Sequence, residues 1–184
     1  MNIYDPYDDM RMQEQQFFHS FVTYEKSGRT VIQTFQSKPY WWFDREALFG
    51  TSSTGKDAII YRYAEVLLIA AEAIAMTEGV TSEAVGYLAD VRARAWPKIN
   101  RETIYSDLSA LDRDRFVEEV WAERLREFPF EMKIWPDIQR TRKYPVTASD
   151  SMGKVDFRDM IGAQNPANIP FEERHLLLPA CKFN

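Results

Sequence analysis

Four acids in the second half of the chain follow a spacing that could support catalysis: Glu123, Glu127, Glu131 and Asp137. The three glutamates lie four residues apart and would share one face of a continuous helix. Paired carboxylates cleave glycosidic bonds, one as an acid and the other as a base or nucleophile. Arg124 and Arg126 are interleaved with these acids, and Pro129 interrupts the helical register. We therefore interpret the acids as a structural Glu–Arg network, with a carboxylate glycosidase or lyase as the alternative.

Other catalytic and metal-binding patterns are weak in this sequence. The chain has two histidines, His19 and His175, and a single cysteine, Cys181. Catalysis by serine or cysteine needs an adjacent base with an orienting acid, and no motif of that kind is present. A zinc site would need both histidines brought together by the fold. Neither a catalytic nucleophile nor a bound cofactor is expected.

Three acids near the start of the chain could supply oxygen ligands to a calcium ion: Asp5, Asp8 and Asp9. Calcium prefers oxygen ligands, but this spacing does not match the loop of an EF-hand. We interpret the three acids as a solvated acidic turn, and no metal site is predicted.

Length and charge exclude several classes of protein. With 184 residues and 45% hydrophobic residues, the chain is large enough for one domain with a buried core. Its net charge of −5 gives no basic face for nucleic acid. The longest apolar stretch, residues 64–76, contains Glu65 and Glu72 and is too short to span a bilayer. Residues 1–6 lack the features of a signal peptide.

Hydrophobic periodicity predicts a mainly α-helical fold. Helices are expected over residues 60–77 and 82–95, with Gly79 between them, so they should form an antiparallel helical hairpin. A third helix is expected over 113–128 after Asp112, and a short fourth helix up to 142 with Pro136 in its first turn.

The segments on either side of the helices are expected to be less regular. Residues 17–24 and 30–35, joined by a turn at 26–29, predict a small β-hairpin. The tail from 143 is expected to be mostly irregular, with 176–179 as a buried extended piece. We divide the single domain into a hairpin and loop segment (1–55), a helical core (56–142) and a tail (143–184).

Glu72 lies beside the apolar stripe of the first helix, seven residues after Glu65. A carboxylate at such a position should not stay unpaired, because burial of a lone charge is costly. We predict that Glu72 pairs with an arginine, and Arg92 on the next helix is our preferred partner.

Several motifs together resemble the SusD/RagB family. Residues 62–73 read RYAEVLLIAAEA and are similar to that family's Arg-Tyr-Ala-Glu-Val-Leu-Leu helix, and residues 89–95, ADVRARA, are similar to its next helix. Residues 123–138 follow its Glu-Arg-x-x-Glu-Leu-x-x-Glu-Gly-x-x-Trp-x-Asp-Leu signature, and 177–179 resemble its Leu-Leu-Pro segment. Asp9-Met10-Arg11 weakly resembles an upstream Asp-x-Arg element. Departures are Met132 for glycine, Ile134 for arginine, and the prolines at 129 and 136.

The resemblance implies a fold and a role. Family members are non-enzymatic outer-membrane lipoproteins of Bacteroidetes with tetratricopeptide-like helical hairpins. They bind glycans or other nutrients at the cell surface and cap a SusC-like TonB-dependent transporter. This chain resembles the C-terminal third of such a protein, without the lipidated cysteine. The matching signature residues are carried over as structural: Arg62, Glu65, Glu72, Arg92, Glu123, Arg124, Glu127, Trp135 and Asp137.

The best candidate for a glycan platform is the aromatic run at Tyr40, Trp41 and Trp42. Sugars stack their C–H faces on aromatic rings and direct their hydroxyls to polar groups. Adjacent residues cannot all point inward, so we expect Trp41 or Trp42 to contribute to a sugar-binding surface. Burial of both rings by the helices is the structural alternative. A purely structural interaction domain with no small ligand is a third reading of the whole chain.

Overall fold

A helical hairpin forms the centre of the molecule. The computed structural model of the chain describes residues 3–5, 8–147 and 153–159. Helix α1 (Tyr63–Glu78) and helix α2 (Ser82–Ala95) pack against each other, as their hydrophobic periodicity predicts. Gly79 ends α1 with φ of +90°, a conformation that side chains disfavour. The Thr81 hydroxyl then accepts a hydrogen bond from Ala84 N at 3.2 Å and caps α2.

A short helix that periodicity did not predict follows the hairpin. Helix α3 (Arg101–Ser109) begins where the Asn100 side chain accepts a hydrogen bond from Glu102 N at 2.9 Å. It buries Ile104 and Leu108, which lie one turn apart, against α2. The cap and this pair of apolar residues are the signals that could have revealed α3 in the sequence.

Two further helices complete the helical part. Helix α4 (Arg113–Glu127) begins at Asp112, whose carboxylate accepts a hydrogen bond from Arg115 N at 2.9 Å. It packs mainly against α1. Helix α5 (Ile134–Thr141) carries Pro136 in its first turn, where the missing N–H is tolerated. Both helices agree with the sequence prediction to within a residue or two.

The core is built from small residues of α1 and α2 and larger residues of α3 and α4. Ala71, Ala75, Ala84 and Ala89 are fully buried, which lets the two backbones approach closely. Phe116 and the neighbouring apolar residues of α4 fill the space on the other side of α1. No helix in the described ranges combines the length and the apolar character needed to cross a bilayer.

Two β-hairpins flank the helices. Strands β1 (Phe18–Lys26) and β2 (Arg29–Pro39) pair antiparallel, and Ser27 and Gly28 form the turn with φ of 55° and 72°. This confirms the predicted hairpin and extends it. The tail was expected to be mostly irregular, but strands β3 (Lys143–Val146) and β4 (Asp156–Asp159) form a second antiparallel pair. The predicted extended piece at 176–179 lies outside the described residues.

Candidate functional site

Helix α4 carries the central acids of the molecule into its interior. Glu123 and Glu127 lie one turn apart on the inner face of α4, and both are 0% exposed. Glu131 follows the end of the helix and is nearly buried. Isolated carboxylates would be costly at such positions, so the surrounding charges decide what these acids can do.

Three arginines surround Glu123. One carboxylate oxygen accepts a hydrogen bond from Arg11 Nη1 at 2.8 Å, and the other accepts from Arg92 Nε at 3.0 Å and Arg126 Nη1 at 3.1 Å. Burial by itself would raise the pKa of Glu123, but the three guanidinium groups outweigh burial and hold this pKa well below its usual range. Glu123 therefore stays ionised in the folded protein.

Glu127 and Glu131 are also bound by arginines. Arg62 donates to Glu127 Oε1 at 2.9 Å and binds both oxygens of Glu131, at 2.8 and 2.9 Å. Arg94 and Arg11 also donate to Glu127. The bidentate geometry of the Arg62–Glu131 pair makes it one of the stronger kinds of ion pair.

Arg11 is a central member of the network that the sequence indicated only through the weak Asp-x-Arg resemblance. Asp9 binds the Arg11 guanidinium through both carboxylate oxygens, at 2.9 and 2.7 Å. Arg11 in turn reaches Glu123, 112 positions away in the chain. The N-terminal segment is thereby tied to α4, and the Tyr4 hydroxyl adds a hydrogen bond to the Arg126 carbonyl at 2.8 Å.

Glu72 pairs with an arginine, as predicted, but the preference for Arg92 is wrong. Glu72 accepts hydrogen bonds from Arg140 Nη2 at 2.7 Å and from Trp121 Nε1 at 2.8 Å. Arg92 points instead toward α4, where it binds Glu119 and Glu123. Glu72 lies on the side of α1 that meets α4 and α5, so the cation comes from α5 rather than from α2.

Glu65, Arg124 and Asp137 form a smaller set of ion pairs beside α5. Arg124 Nε lies 2.7 Å from Asp137 Oδ2, and Glu65 pairs with Lys133 at 2.9 Å. Arg124 also lies 3.9 Å from Glu65. Trp135, in the first turn of α5, is 47% exposed.

One departure from the family signature falls at a residue with a left-handed backbone conformation before α5. Met132 stands where the family has glycine, and its φ is 59°. Phe130 also has a positive φ, 63°. Glycine adopts this left-handed conformation without strain, whereas a side chain is disfavoured there. Met132 is also 90% exposed, so its side chain gains little packing in return.

The acids on α4, and Glu131 just after it, are poorly suited to proton transfer. A carboxyl that acts as a general acid near neutral pH needs a raised pKa. The pKa of Glu123 is shifted in the opposite direction, and Glu127 and Glu131 are each bound by guanidinium groups. The geometry is that of a buried electrostatic clamp joining the N-terminal segment, α1, α2 and α4.

The aromatic run after β2 is arranged differently, with rings left partly in solvent. Trp42 is 47% exposed, while Tyr40 and Trp41 are half-buried. The Trp41 ring lies 5.5 Å from the ring of Phe17, and the Arg62 guanidinium lies 5.1 Å from its centre. The helices therefore leave Trp42 partly exposed.

His19 is part of the packing under this run. Its ring lies 5.3 Å from the ring of Tyr40 and 4.9 Å from the rings of Phe35 and Phe43. Tyr40 and Phe43 are stacked with centroids 5.6 Å apart. His19 thus packs among aromatic rings, whereas His175 and Cys181 lie outside the described residues.

Potential metal ligands do not gather in the part of the chain that the structure describes. No group of three or more acids, histidines or cysteines there is placed to hold a metal ion. Among the acids weighed for calcium, Asp9 is bound by Arg11 and Asp8 by Lys98, at 2.6 Å.

Comparison with known proteins identifies the family. The model of the SusD family matches residues 7–169, so the chain belongs to the SusD family. SusD-like protein P38 of Formosa agariphila is 33% identical over 99 residues, which is 53% of this chain. SusD-like protein P2 of the same organism is 40% identical over 81 residues, which is 44% of this chain.

A solved structure supports the same assignment. The crystal structure of a SusD superfamily protein from Parabacteroides distasonis matches 83% of this chain with a TM-score of 0.63 and 25% identity. The chain spans 31% of that structure, and the matches cover 19% and 16% of the two Formosa relatives. The likeness therefore concerns a limited part of these longer proteins.

Proposed function

We propose that this chain belongs to a non-catalytic glycan-binding component of an outer-membrane nutrient-uptake system, located at the cell surface and working with a SusC-like TonB-dependent transporter. Membership of the SusD family motivates the proposal. The structural observation that carries it is the exposed Trp42 ring beside the half-buried Tyr40 and Trp41. A tryptophan that is 47% exposed can offer aromatic surface to the C–H face of a sugar ring.

The non-catalytic part of the proposal is supported by the ion pairs of α4. A glycosidase would need one carboxyl that holds a proton at working pH and a second that is free to attack or to activate water. Glu123 and Glu127 are both fully buried and bound by several arginines. Their role in this proposal is to stabilise the scaffold that presents the aromatic rings.

Calorimetry with defined oligosaccharides tests the glycan-binding proposal. Xylohexaose, maltohexaose, laminarihexaose and hexagalacturonate would be titrated into the wild-type protein and into Trp42→Ala. Trp135→Ala is a matched control, because Trp135 is also 47% exposed. We expect at least one sugar to bind, and Trp42→Ala to weaken that binding about fivefold, as loss of one aromatic contact implies. Equal binding by the two variants would contradict the platform, and shorter sugars found after incubation would contradict a non-catalytic role.

The transporter contact is supported by a second surface, the outer face of α1. Val66, Ile69, Ala73 and Met76 lie there at helical spacing, and three of them are at least half exposed. A helix that is apolar on both faces normally meets another surface on each side. In cells that make the tagged protein, Ile69→Lys should reduce the TonB-dependent transporter that co-purifies, whereas Trp42→Ala should not. Unchanged recovery with Ile69→Lys would exclude this face from the contact.

A further inference from the structure

A groove between α1 and α2 has features of a binding site that the proposed function does not yet use. It has a volume of about 470 Å³, within the range of roughly 300–1,000 Å³ typical of small-molecule sites. We refer to it as the α1–α2 groove. Its lining combines two tyrosines with apolar and charged side chains. The lining residues include Leu67 and Val91, Tyr63 and Tyr87, and Asp90 and Arg94.

The two tyrosines present aromatic surface on opposite helices. Tyr63 is the first residue of α1 and is 75% exposed. Tyr87 lies on α2, and its hydroxyl donates a hydrogen bond to Glu83 Oε1 at 2.6 Å. That hydrogen bond raises the pKa of Tyr87 and fixes the direction of its hydroxyl. Two tyrosines and apolar side chains lining one groove provide the kind of surface on which a sugar can stack.

Ion pairing leaves the charged groups of the groove with little net charge to offer a ligand. Asp90 binds Arg101 Nε at 2.5 Å, and Arg94 binds Glu127. Arg62, at the end of the groove, is bound to Glu127 and Glu131. Because each charge already has a partner, an anionic ligand would gain little here. The partly exposed Asp90 and Arg94 side chains can still accept and donate hydrogen bonds to hydroxyl groups.

The groove and the aromatic run share one residue. Arg62 lines the groove and its guanidinium lies 5.1 Å from the centre of the Trp41 ring. An extended ligand that reaches Arg62 would therefore lie near Trp41, which precedes Trp42 in the chain. A single pyranose would occupy one of the two places, whereas a longer oligosaccharide could contact both.

We propose that the α1–α2 groove is a second binding subsite, specific for uncharged oligosaccharides, in which Tyr63 and Tyr87 stack on sugar rings. The proposal rests on the proposed glycan-binding function and adds a location and a ligand class to it. Acidic glycans such as polyuronates are the wrong class for a groove whose cations are already paired.

The chain offers a closely matched control for the test. Tyr61 and Tyr63 are two positions apart and 74% and 75% exposed, but only Tyr63 lines the groove. Xylohexaose, maltohexaose, laminarihexaose and hexagalacturonate would be titrated by calorimetry into wild type, Tyr61→Ala and Tyr63→Ala. We expect an uncharged hexasaccharide to bind, with about fivefold weaker affinity for Tyr63→Ala and no change for Tyr61→Ala.

Tyr87 provides an independent check, since it is partly packed against the core. Tyr87→Phe keeps the ring and should retain binding, whereas Tyr87→Ala should weaken it in a sample shown to be folded by circular dichroism. Sugar binding that depends on Trp42 but is unaffected by Tyr63→Ala and Tyr87→Ala would overturn the groove while the proposed function stands. Binding of hexagalacturonate alone would overturn the ligand class, and no binding in the whole set would overturn both proposals.

Discussion

Two groups of residues could bind or act on a ligand: the acids and arginines on α4, and the aromatic residues after β2. The fold buries the first group in ion pairs and leaves the second group partly exposed. Glu123 and Glu127 are fully buried and bound by several guanidinium groups. Trp42 stays half exposed, and Trp41 lies between Phe17 and Arg62. The residues whose spacing is most typical of a catalytic set are thus buried in ion pairs, whereas the aromatic residues remain partly exposed. Spacing shows which side chains could react, whereas their partners decide whether they are free to do so.

Replacement of Glu123 should reduce the stability of the folded protein more than any other substitution considered below. Glu123→Gln leaves Arg11, Arg92 and Arg126 buried without their shared counter-charge. Removal of one partner from a buried ion pair costs about 3–5 kcal/mol, so we expect a loss of that size in the free energy of unfolding measured with urea. Glu118→Gln on the same helix is the control, because its partner Arg115 is 68% exposed and the pair should contribute under about 1 kcal/mol.

Low pH should reduce the stability of the folded protein through protonation of Glu123. The folded-state pKa of Glu123 lies below its ordinary value of 4.5, so between these two values the unfolded chain binds a proton that the folded chain does not. The contribution of Glu123 is therefore complete above pH 4.5 and is lost as pH falls toward the folded-state pKa. In urea titrations at a series of pH values, the wild type should lose stability below pH 4.5 more steeply than Glu123→Gln. Parallel curves would contradict this linkage.

Two arginine substitutions compare the stability contribution of a buried arginine with that of a partly exposed one. Arg92→Met removes a buried guanidinium that binds Glu119 and Glu123, and should cost about 3 kcal/mol. Arg140→Met removes the 43% exposed partner of Glu72 and should cost about 1 kcal/mol. Urea denaturation of both variants checks this order. A larger loss for Arg140→Met would mean that Glu72 depends on its cation more than the buried acids do.

Met132 offers a smaller effect at the boundary between the network and α5. Replacement by glycine removes the strain of a side chain at φ of 59°, against the extra flexibility of glycine in the unfolded chain. We expect Met132→Gly to stabilise the protein by about 0.5–1 kcal/mol. Met76→Gly, at an exposed position within α1, should instead destabilise it by about 1 kcal/mol. Thermal unfolding measures the stability of both variants. A stability change of the same sign in Met132→Gly and Met76→Gly would contradict this expectation.

The smallest stability effect is expected in the aromatic run. Trp42→Ala should change the free energy of unfolding by less than about 0.5 kcal/mol, because substitutions at exposed sites are usually near neutral. Urea denaturation measures this directly. A loss above about 2 kcal/mol would show that Trp42 is a packing residue and would remove the contrast between the two regions.

Much of the helical part could be predicted from the sequence, since local signals define it. The apolar spacing of α1 and α2, the break at Gly79 and the capping residue before α2 are all readable along the chain. Helix α3 is short, with nine residues and two buried apolar positions, and its signal is correspondingly weak. The β3–β4 pair depends on contact between two four-residue segments, which periodicity does not report.

The site was harder to predict because its contacts are long-range. Periodicity places Glu72 beside the apolar stripe of α1 but cannot say whether α2 or α5 supplies the arginine. Arg11 reaches Glu123 across 112 positions, so its importance appears only in the folded protein. The α1–α2 groove likewise exists only after Tyr63 and Tyr87 are brought together on neighbouring helices.

The protonation state of Glu123 is the most direct test of the claim that the α4 acids stabilise the scaffold and do not transfer protons. Its side-chain carboxyl carbon can be followed by ¹³C NMR from neutral pH downward, with the signal assigned by its loss in Glu123→Gln. We expect an ionised carboxylate throughout the range from pH 7 to pH 4.5. A titration midpoint above 4.5 would show a carboxyl able to hold and release a proton, and would contradict the account.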